Sequence, residues 1–540
     1  MQDKTIYGFL KYNHKDIWRY LQKDIDDDWF QDPIRYKDFD ILGQDAEFFE
    51  KNIRKNFGRY QAQGREIFHL PKGNFTLRYS LETSLYDRYM YLNLVLPLMK
   101  LFDPLIDNRV YNHRYCGEDG YLFLNPINQW EKFEGIIRSE AHTQCVLETD
   151  IQNYFENINL ITLKNDLEEC LRDADVPTAK LVQTRFIIDR LMECMEKWSY
   201  DGKRGLPQNR DCSSFLANIY MRSIDKIMIE AGFEYYRYMD DIRIICADRF
   251  KARQALKDLV INLRDKHLSL NGKKTRKILP GTELHDNILL PKIELKKIDS
   301  LLITKKKANV AIGYSLLKER CIKLIKGSKF EEREFRFCIN RLSKLARCKE
   351  YKVPHDFWNE IAEGVVSAIV ECPTSTDRVY DFLASVGLNI DSTAIIVDYL
   401  CNPEKSIYEW QNYWLWKLLI IREVKEDKLS DRARMILKHD VQIPDKAGAI
   451  LYLAVFGNLD DKKEIMKSID KNDSIFLQRH KWLASKDLDW IKDEVQIKKD
   501  EVHECLRGTY RVITDRIDTI VSPPPPTSFS DILRSVHQYD

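Results

Sequence analysis

Tyr235-Tyr236-Arg237-Tyr238-Met239-Asp240-Asp241-Ile242-Arg243-Ile244-Ile245-Cys246 is the stretch from which the fold is read. Its flanks carry the aromatic and β-branched residues of strands, so it predicts two antiparallel strands around a tight turn. In a regular strand, neighbouring side chains leave on opposite faces, and Asp240 and Asp241 would not share a site. At a hairpin tip the backbone reverses, and both carboxylates reach one region. Buried carboxylates that close repel unless a divalent cation neutralises them. Taken alone, Tyr238-Met239-Asp240-Asp241 is a short string in a chain with 27 tyrosines, and a surface turn would produce it equally well.

It does not stand alone. Upstream, Cys145 to Asp150 reads as an apolar strand that ends in a carboxylate, followed by Ile151-Gln152-Asn153-Tyr154-Phe155. An aspartate ending one strand, beside a hairpin carrying two more, supplies three carboxylates for a pair of divalent ions. Two metals ~4 Å apart activate a hydroxyl and stabilise a leaving pyrophosphate in an in-line displacement.

The rest of the chain narrows the setting. It has 540 residues, 44% apolar and 31% charged, with mean hydropathy −0.45, the profile of a folded water-soluble protein of several domains. The longest apolar runs, such as Leu415 to Ile421, fall far short of the ~20 residues of a spanning helix. The opening Met1-Gln2-Asp3-Lys4-Thr5 does not read as a signal peptide. Twelve cysteines are scattered without a CxxC pair, as expected of reduced thiols in a cytosol. The net charge of +1 discourages a nucleic-acid partner, but charge is unevenly spread. Residues 51–100 hold nine basic and three acidic side chains, and residues 271–307 hold ten and four. Residues 21–50 are acidic, and Asp26-Asp27-Asp28 reads as a solvated acidic face.

Helices are expected at Tyr86–Phe102, Leu163–Arg172 and Ser213–Ala231. Beyond about residue 308 strand signals fade and helices dominate, among them Tyr314–Lys326, Phe335–Arg347, His355–Val370 and Ser406–Ile421. Tyr408 to Trp416 is rich in aromatics; at helical spacing that is more often a packing face than a base-stacking platform. Lys305-Lys306-Lys307 reads as a backbone contact or a solvated linker, and His142 and His285 as ordinary. Pro523 to Pro526 reads as the start of a flexible or docking tail.

With Asp150 as motif A and Tyr238 to Asp241 as motif C, the sequence resembles reverse transcriptases. Gly205-Leu206-Pro207-Gln208 with Ser213, Ser214, Phe215, Leu216, Ala217 and Asn218 looks like motif B. Leu270-Asn271-Gly272-Lys273-Lys274-Thr275 looks like motif D, and Pro71-Lys72, Arg78 and Asp87-Arg88 match the fingers of bacterial and group II intron-type enzymes. The resemblance covers roughly residues 60 to 280 and implies the following roles. Asp150, Asp240 and Asp241 hold two Mg2+ ions, with Mn2+ as a substitute in vitro. Lys274 assists pyrophosphate departure; Lys72, Arg78 and Arg88 grip the triphosphate; Gln208 lies near the nucleotide sugar. Phe155 sits at the steric-gate position that excludes a ribose 2′-hydroxyl, although a core phenylalanine would fit the same place. Tyr238 lines the nucleotide site or simply supports the backbone.

The pattern also departs from the family. Asn209-Arg210-Asp211-Cys212 replaces the glycine and small-residue run of many members. No Val-Thr-Gly retron signature, primer grip, RNase H carboxylate set or HNH endonuclease follows. The expected fold is therefore an α+β right-hand polymerase with fingers and palm (residues 1–300), an all-α, helical-repeat domain in place of a thumb (301–520) and a Pro-rich tail (521–540). That architecture looks like the defence-associated, abortive-infection group of bacterial reverse transcriptases. The resemblance implies a cytoplasmic prokaryotic RNA-directed DNA polymerase in antiviral defence, with no membrane attachment. Its partners would be dNTPs, an RNA template or non-coding RNA, its DNA product, and a second copy or a partner defence protein. Two other readings stay open: a retron-like or intron-derived enzyme with a structured RNA, and a non-catalytic nucleic-acid-sensing scaffold or toxin.

Overall fold

A computed structural model describes residues 14–25, 28–43, 60–73, 76–118, 121–140, 144–278, 290–304, 306–354, 356–439, 442–486 and, beyond these, 488, 501–503, 506, 509, 512–513, 517, 519–528 and 532. His142, His285, Lys305, Asp26, Asp27 and most of the last eleven residues lie outside the described residues. The chain divides into two units. The first comprises Met1–Asp28, Asp45–Ile67 and Leu81–Glu294; the second comprises Trp29–Gln44, Phe68–Ser80 and Leu295–Asp540.

Along the first unit run α1 (His14–Ile25), a hairpin of β1 (Arg65–Lys72) and β2 (Thr76–Thr83) whose far part belongs to the second unit, and α2 (Leu85–Phe102). Then come β3 (Tyr115–Glu118), β4 (Tyr121–Phe123), α3 (Pro126–Glu140) and β5 (Cys145–Asp150). After β5 follow one helical turn, Tyr154–Asn157, then α4 (Leu160–Asp173), α5 (Thr178–Trp198) and α6 (Asp211–Glu230). The unit continues through β6 (Glu234–Tyr238), β7 (Asp241–Cys246), α7 (Arg249–Asp265) and β8 (Arg276–Ile278). The functional core is a four-stranded antiparallel sheet in the order β6-β7-β5-β8. Helix α6 packs on β6, and α7 on β7 and β5.

Local chemistry sets the helix starts. Ser84 caps α2 by accepting the Asp87 amide at 3.1 Å, and Asn159 caps α4 by accepting that of Thr162 at 3.0 Å. Asp248 caps α7 by accepting from Phe250 and Lys251, each satisfying amides that the first turn leaves without helical partners. Helix α2 is apolar nearly all round and buried along its length, which is the burial such a composition requires.

Asp28, read as part of a solvated face, is instead 7% exposed. Its carboxylate accepts from Arg88 at 2.7 Å and from Arg210 at 2.7 Å, and Glu82 accepts from Arg88 at 2.8 Å. A carboxylate leaves water when guanidinium donors replace it, and those donors lie 60 and 182 residues away, beyond any local reading of an acidic run.

The second unit is largely helical. After α8 (Leu290–Ile303), which crosses the boundary, come α9 (Lys307–Lys326), α10 (Arg333–Ala346), α11 (Asp356–Glu371), α12 (Thr376–Val386) and α13 (Ile390–Cys401). There follow α14 (Glu409–Ile421), α15 (Asp427–Lys438), α16 (Ile443–Phe456), α17 (Leu459–Lys467) and α18 (Ile475–Leu483). Helices pack on their next-but-one neighbours: α9 on α11, α10 on α12, α11 on α13, α12 on α14, α13 on α15 and α14 on α16. The aromatic run is core: Trp410, Tyr413, Trp414 and Trp416 are each at most 4% exposed, with the Trp410 indole donating to the Trp29 carbonyl at 2.8 Å. Arg479 forms a buried network with Asp32 and Asp38. The polyproline stretch, which lacks amide donors, is held by its flanks. Ser522 donates to the Pro33 carbonyl at 2.8 Å, and Thr527 to that of Arg347 at 3.2 Å.

Where α14 meets α16, a Cβ on Gly448 would lie 2.4 Å from Cδ1 of Trp416, which is fully buried. Alanine gains about 1 kcal/mol of helix propensity, but overpacking of this kind costs up to about 3 kcal/mol. Gly448→Ala should therefore lower stability by about 1–2 kcal/mol net, read as a lower urea midpoint. A neutral result would mean that Trp416 shifts freely.

Candidate active site

Strand β5 ends where β7 begins. The register sets Asp150 opposite Asp241 and Thr149 opposite Ile242, and β6 pairs Tyr238 with Asp241. Met239 and Asp240 are left as a two-residue turn. Met239 takes φ 55°, the left-handed conformation that lets so short a turn follow the strand twist. The Ile151 amide donates to the Asp240 carbonyl at 3.1 Å, so backbone ties the end of β5 to the turn. Three aspartates thus gather from two strand ends, Asp150 buried and the other two half-buried.

Their proximity shows in the electrostatics. Burial, then repulsion from Asp240 and Asp150, pushes the Asp241 carboxyl from 3.8 up to about 7; Lys274 and Arg243 oppose this only in part. Lys274 Nζ donates to Asp150 Oδ2 at 2.6 Å. Burial pulls the Lys274 ammonium down, but the Asp150 bond and the three carboxylate charges outweigh it and raise its pKa. The loop that carries Lys274 is fixed beside β5. The Asn271 amide donates to the Asp150 carbonyl at 2.8 Å, and the Thr149 and Thr275 hydroxyls share a hydrogen bond at 2.7 Å.

Phe155 and Gln208 also converge. The Phe155 carbonyl accepts from the Leu206 amide at 3.0 Å, and the Gly205 amide donates to the Ile158 carbonyl at 2.9 Å. Gly205 has φ 91°, a conformation that favours glycine. Gln208 Nε2 donates to Glu156 Oε1 at 3.4 Å. The Phe155 ring is half-exposed. Tyr238 packs edge-on to Trp130 at 4.9 Å and near Phe133 at 5.8 Å. Arg88 is 4% exposed, with its guanidinium engaged by Asp28 and Glu82. Lys72 and Arg78 belong to the second unit, where Arg78 lies over the Trp29 ring at 5.8 Å.

Sequence reasoning passed over the residues that hold the turn. Arg237 is fully buried and forms a bidentate pair with Asp225 on α6, at 2.8 and 2.7 Å. Its remaining nitrogen donates to Asn218 Oδ1 at 2.9 Å and to the Met239 carbonyl at 3.0 Å. Arg243 likewise joins Glu134 at 2.7 Å to Glu148 at 3.1 Å beneath the strands. The available signal was a charged residue at an inward position of a strand, which burial permits only with a partner.

No three His, Cys, Asp or Glu side chains among the described residues enclose an ion by themselves. The donor chemistry still fits a hard divalent cation: carboxylate oxygens that repel one another, with the Lys274 ammonium standing on Asp150 as a cation would.

The three aspartates thus sit at one end of an antiparallel sheet backed by helices. Residues 90–336 match the family model described as reverse transcriptase (RNA-dependent DNA polymerase). The chain therefore carries a reverse transcriptase domain, the catalytic domain of an RNA-directed DNA polymerase, and such domains work with divalent metal ions. Compared by sequence with curated proteins, the chain finds no match. Among solved structures it is similar to apo telomerase from Candida tropicalis, at 12% identity over 74% of this chain and 71% of that one, TM-score 0.31. It is similar too to telomerase from Candida albicans in complex with a TWJ fragment of telomeric RNA, at 13% identity over 69% and 70%, TM-score 0.31. Likenesses this distant support no inference about activity. No helix among the described residues is long and apolar enough to cross a membrane.

Two predictions follow from the geometry. Removing Arg237 strands the buried Asp225 carboxylate, so Arg237→Met should cost about 3–5 kcal/mol, measured by urea unfolding; Arg237→Met with Asp225→Leu should recover part of that loss. The second concerns pH. Burial and its neighbours push the Asp241 carboxyl up to about 7 in the fold, against 3.8 for a free aspartate side chain. Between those values the folded, metal-free chain keeps a proton that the unfolded chain has released, so stability falls as pH rises through that window. Asp241→Asn should flatten the decline, and an unchanged pH profile would remove the electrostatic account.

Proposed function

We propose that the chain is a reverse-transcriptase-class DNA polymerase that extends DNA from dNTPs with two Mg2+ ions held by Asp150, Asp240 and Asp241. The observation that carries this reading is the strand register that sets Asp150 opposite Asp241 at the hairpin tip. When bound, the ions supply Lewis-acid activation of the attacking 3′-hydroxyl and charge neutralisation at the leaving pyrophosphate. The chain's own residues do the rest. Asp150 and Asp241 define where the phosphates lie, and Lys274, freed from Asp150, donates a proton or a positive charge to the departing pyrophosphate. Phe155 presents a half-exposed ring where a ribose 2′-hydroxyl would collide, and Gln208 beside it orients the sugar.

We further propose that the helical second unit acts as a repeat domain in place of a thumb. With it, the enzyme works in a prokaryotic cytoplasm in antiphage defence, on a template or primer other than the usual ones, including a non-coding RNA or the protein itself. The long succession of next-but-one helix contacts supports this architectural reading.

Incubation with labelled dNTPs and Mg2+, with and without added RNA template, tests the chemistry. Asp240→Ala with Asp241→Ala should reduce incorporation to background while circular dichroism stays unchanged. Synthesis by the folded double variant would reject the metal assignment. Phe155→Ala should raise ribonucleotide use relative to dNTPs by about tenfold or more, given that a steric exclusion is being lifted; an unchanged ratio would return the residue to packing.

A further inference from the structure

Helix α7 buries Ala252, Ala255, Leu259 and Leu263 against the sheet. Its outer face is unlike an ordinary solvated surface. Arg249, Arg253, Lys257 and Arg264 are exposed there. Among the described residues none of the four forms an ion pair, although many other arginines of this unit are paired. Arg249, Arg253 and Lys257 recur every fourth residue, about 6 Å apart along the axis. Between the first two, Phe250 projects into solvent at 61% exposure. The guanidiniums of Arg249 and Arg253 lie 4.9 and 5.9 Å from its ring. Ile261, 48% exposed, continues the same face toward Arg264.

An exposed phenylalanine flanked by two arginines has a specific chemistry. Its ring offers a stacking surface to a base, and the guanidiniums meet the phosphates on either side. Anionic lipid would also attract the cations, but a membrane-lying helix needs a continuous apolar face. Here the two exposed apolar residues are separated by Gln254 and Lys257. Phe250 lies beyond Cys246, the end of β7 remote from Asp241, about 17 Å along the strand at ~3.4 Å per residue. The face is therefore distinct from the carboxylate site.

We propose that the outer face of α7 is a second nucleic-acid site, docking a structured RNA through an unpaired base stacked on Phe250 and phosphates held by Arg249, Arg253 and Lys257. It goes beyond the polymerase reading and does not depend on metal binding or catalysis.

The test uses the full chain with its polymerase cleft preloaded with a short unlabelled RNA–DNA hybrid. Binding of a labelled RNA hairpin with an unpaired loop is measured across a salt series, alongside the same stem as a blunt duplex and vesicles of anionic phospholipid. The intact protein should bind the hairpin more tightly than the duplex. Arg249→Gln with Arg253→Gln and Lys257→Gln should weaken hairpin binding by about tenfold or more and reduce the salt slope by about 2–3, one counterion per lost phosphate contact. Phe250→Ala should remove the preference for the loop while leaving the salt slope intact. DNA synthesis on the preloaded hybrid should be unchanged in both variants, which separates failure here from failure of the polymerase assignment. Equal hairpin affinity and slope in the triple variant would overturn the proposal, as would no second RNA bound by the intact protein. A loss confined to the vesicles would overturn it in favour of a membrane surface.

Discussion

The antiparallel pairing of β5 with β7 is the constraint on which the site depends. Because Asp150 stands opposite Asp241 and the turn adds Asp240, three carboxylates meet, and burial with repulsion from the other two pushes that of Asp241 up. The fold does not relieve this repulsion. It opposes it with Lys274, 2.6 Å from Asp150, and with Arg243, and leaves Asp241 titrating near 7. A stability-driven sequence would place neutral residues there, since like charges across a strand pair are destabilising. On the proposed function, the arrangement becomes favourable once cations arrive.

Holding such a site open requires rigid supports, and these are ionic. Arg237 ties the Met239 carbonyl to Asp225 and Asn218 of α6, and Arg243 links β7 to β5 and α3. Deeper in the same unit, Arg88 and Arg210 share Asp28 and Glu82. Replacing such networks with apolar residues is often neutral or stabilising, so their value here is geometric. Arg237 has its nitrogens spoken for in one arrangement, and that arrangement orients the turn. The second unit repeats the device with Arg479 between Asp32 and Asp38.

Much of this was legible in the amino-acid order. The strand Cys145–Asp150, the hairpin around Met239–Asp240 and helices such as α2, α6 and α14 follow from periodicity and turn chemistry, with ends differing by a few residues. The family resemblance assigned Phe155, Gln208, Lys274 and Asp150 to one nucleotide site, and the structure brings the Phe155 and Gln208 segments together and Lys274 onto Asp150. What stayed hidden were side-chain destinations. Asp28 looked like solvated charge and Arg88 like a phosphate ligand, yet the fold brings them together across 60 residues. Trp29–Gln44 and Phe68–Ser80 lie early in the chain but group with the second unit, which no local pattern announces.

By itself the sequence determined the elements and the chemistry that they bear. Alternation, capping residues and the paired aspartates act over a few neighbouring positions, so local physics suffices to read them. Only the tertiary structure decided which charges are partners, which aromatics are core and which cations stay exposed. Those outcomes depend on desolvation by residues distant in sequence. The same arginine side chain is a buried girder at position 237 and, at position 249, an exposed cation with no ion pair among the described residues, because burial and the partner, not the residue type, set its role.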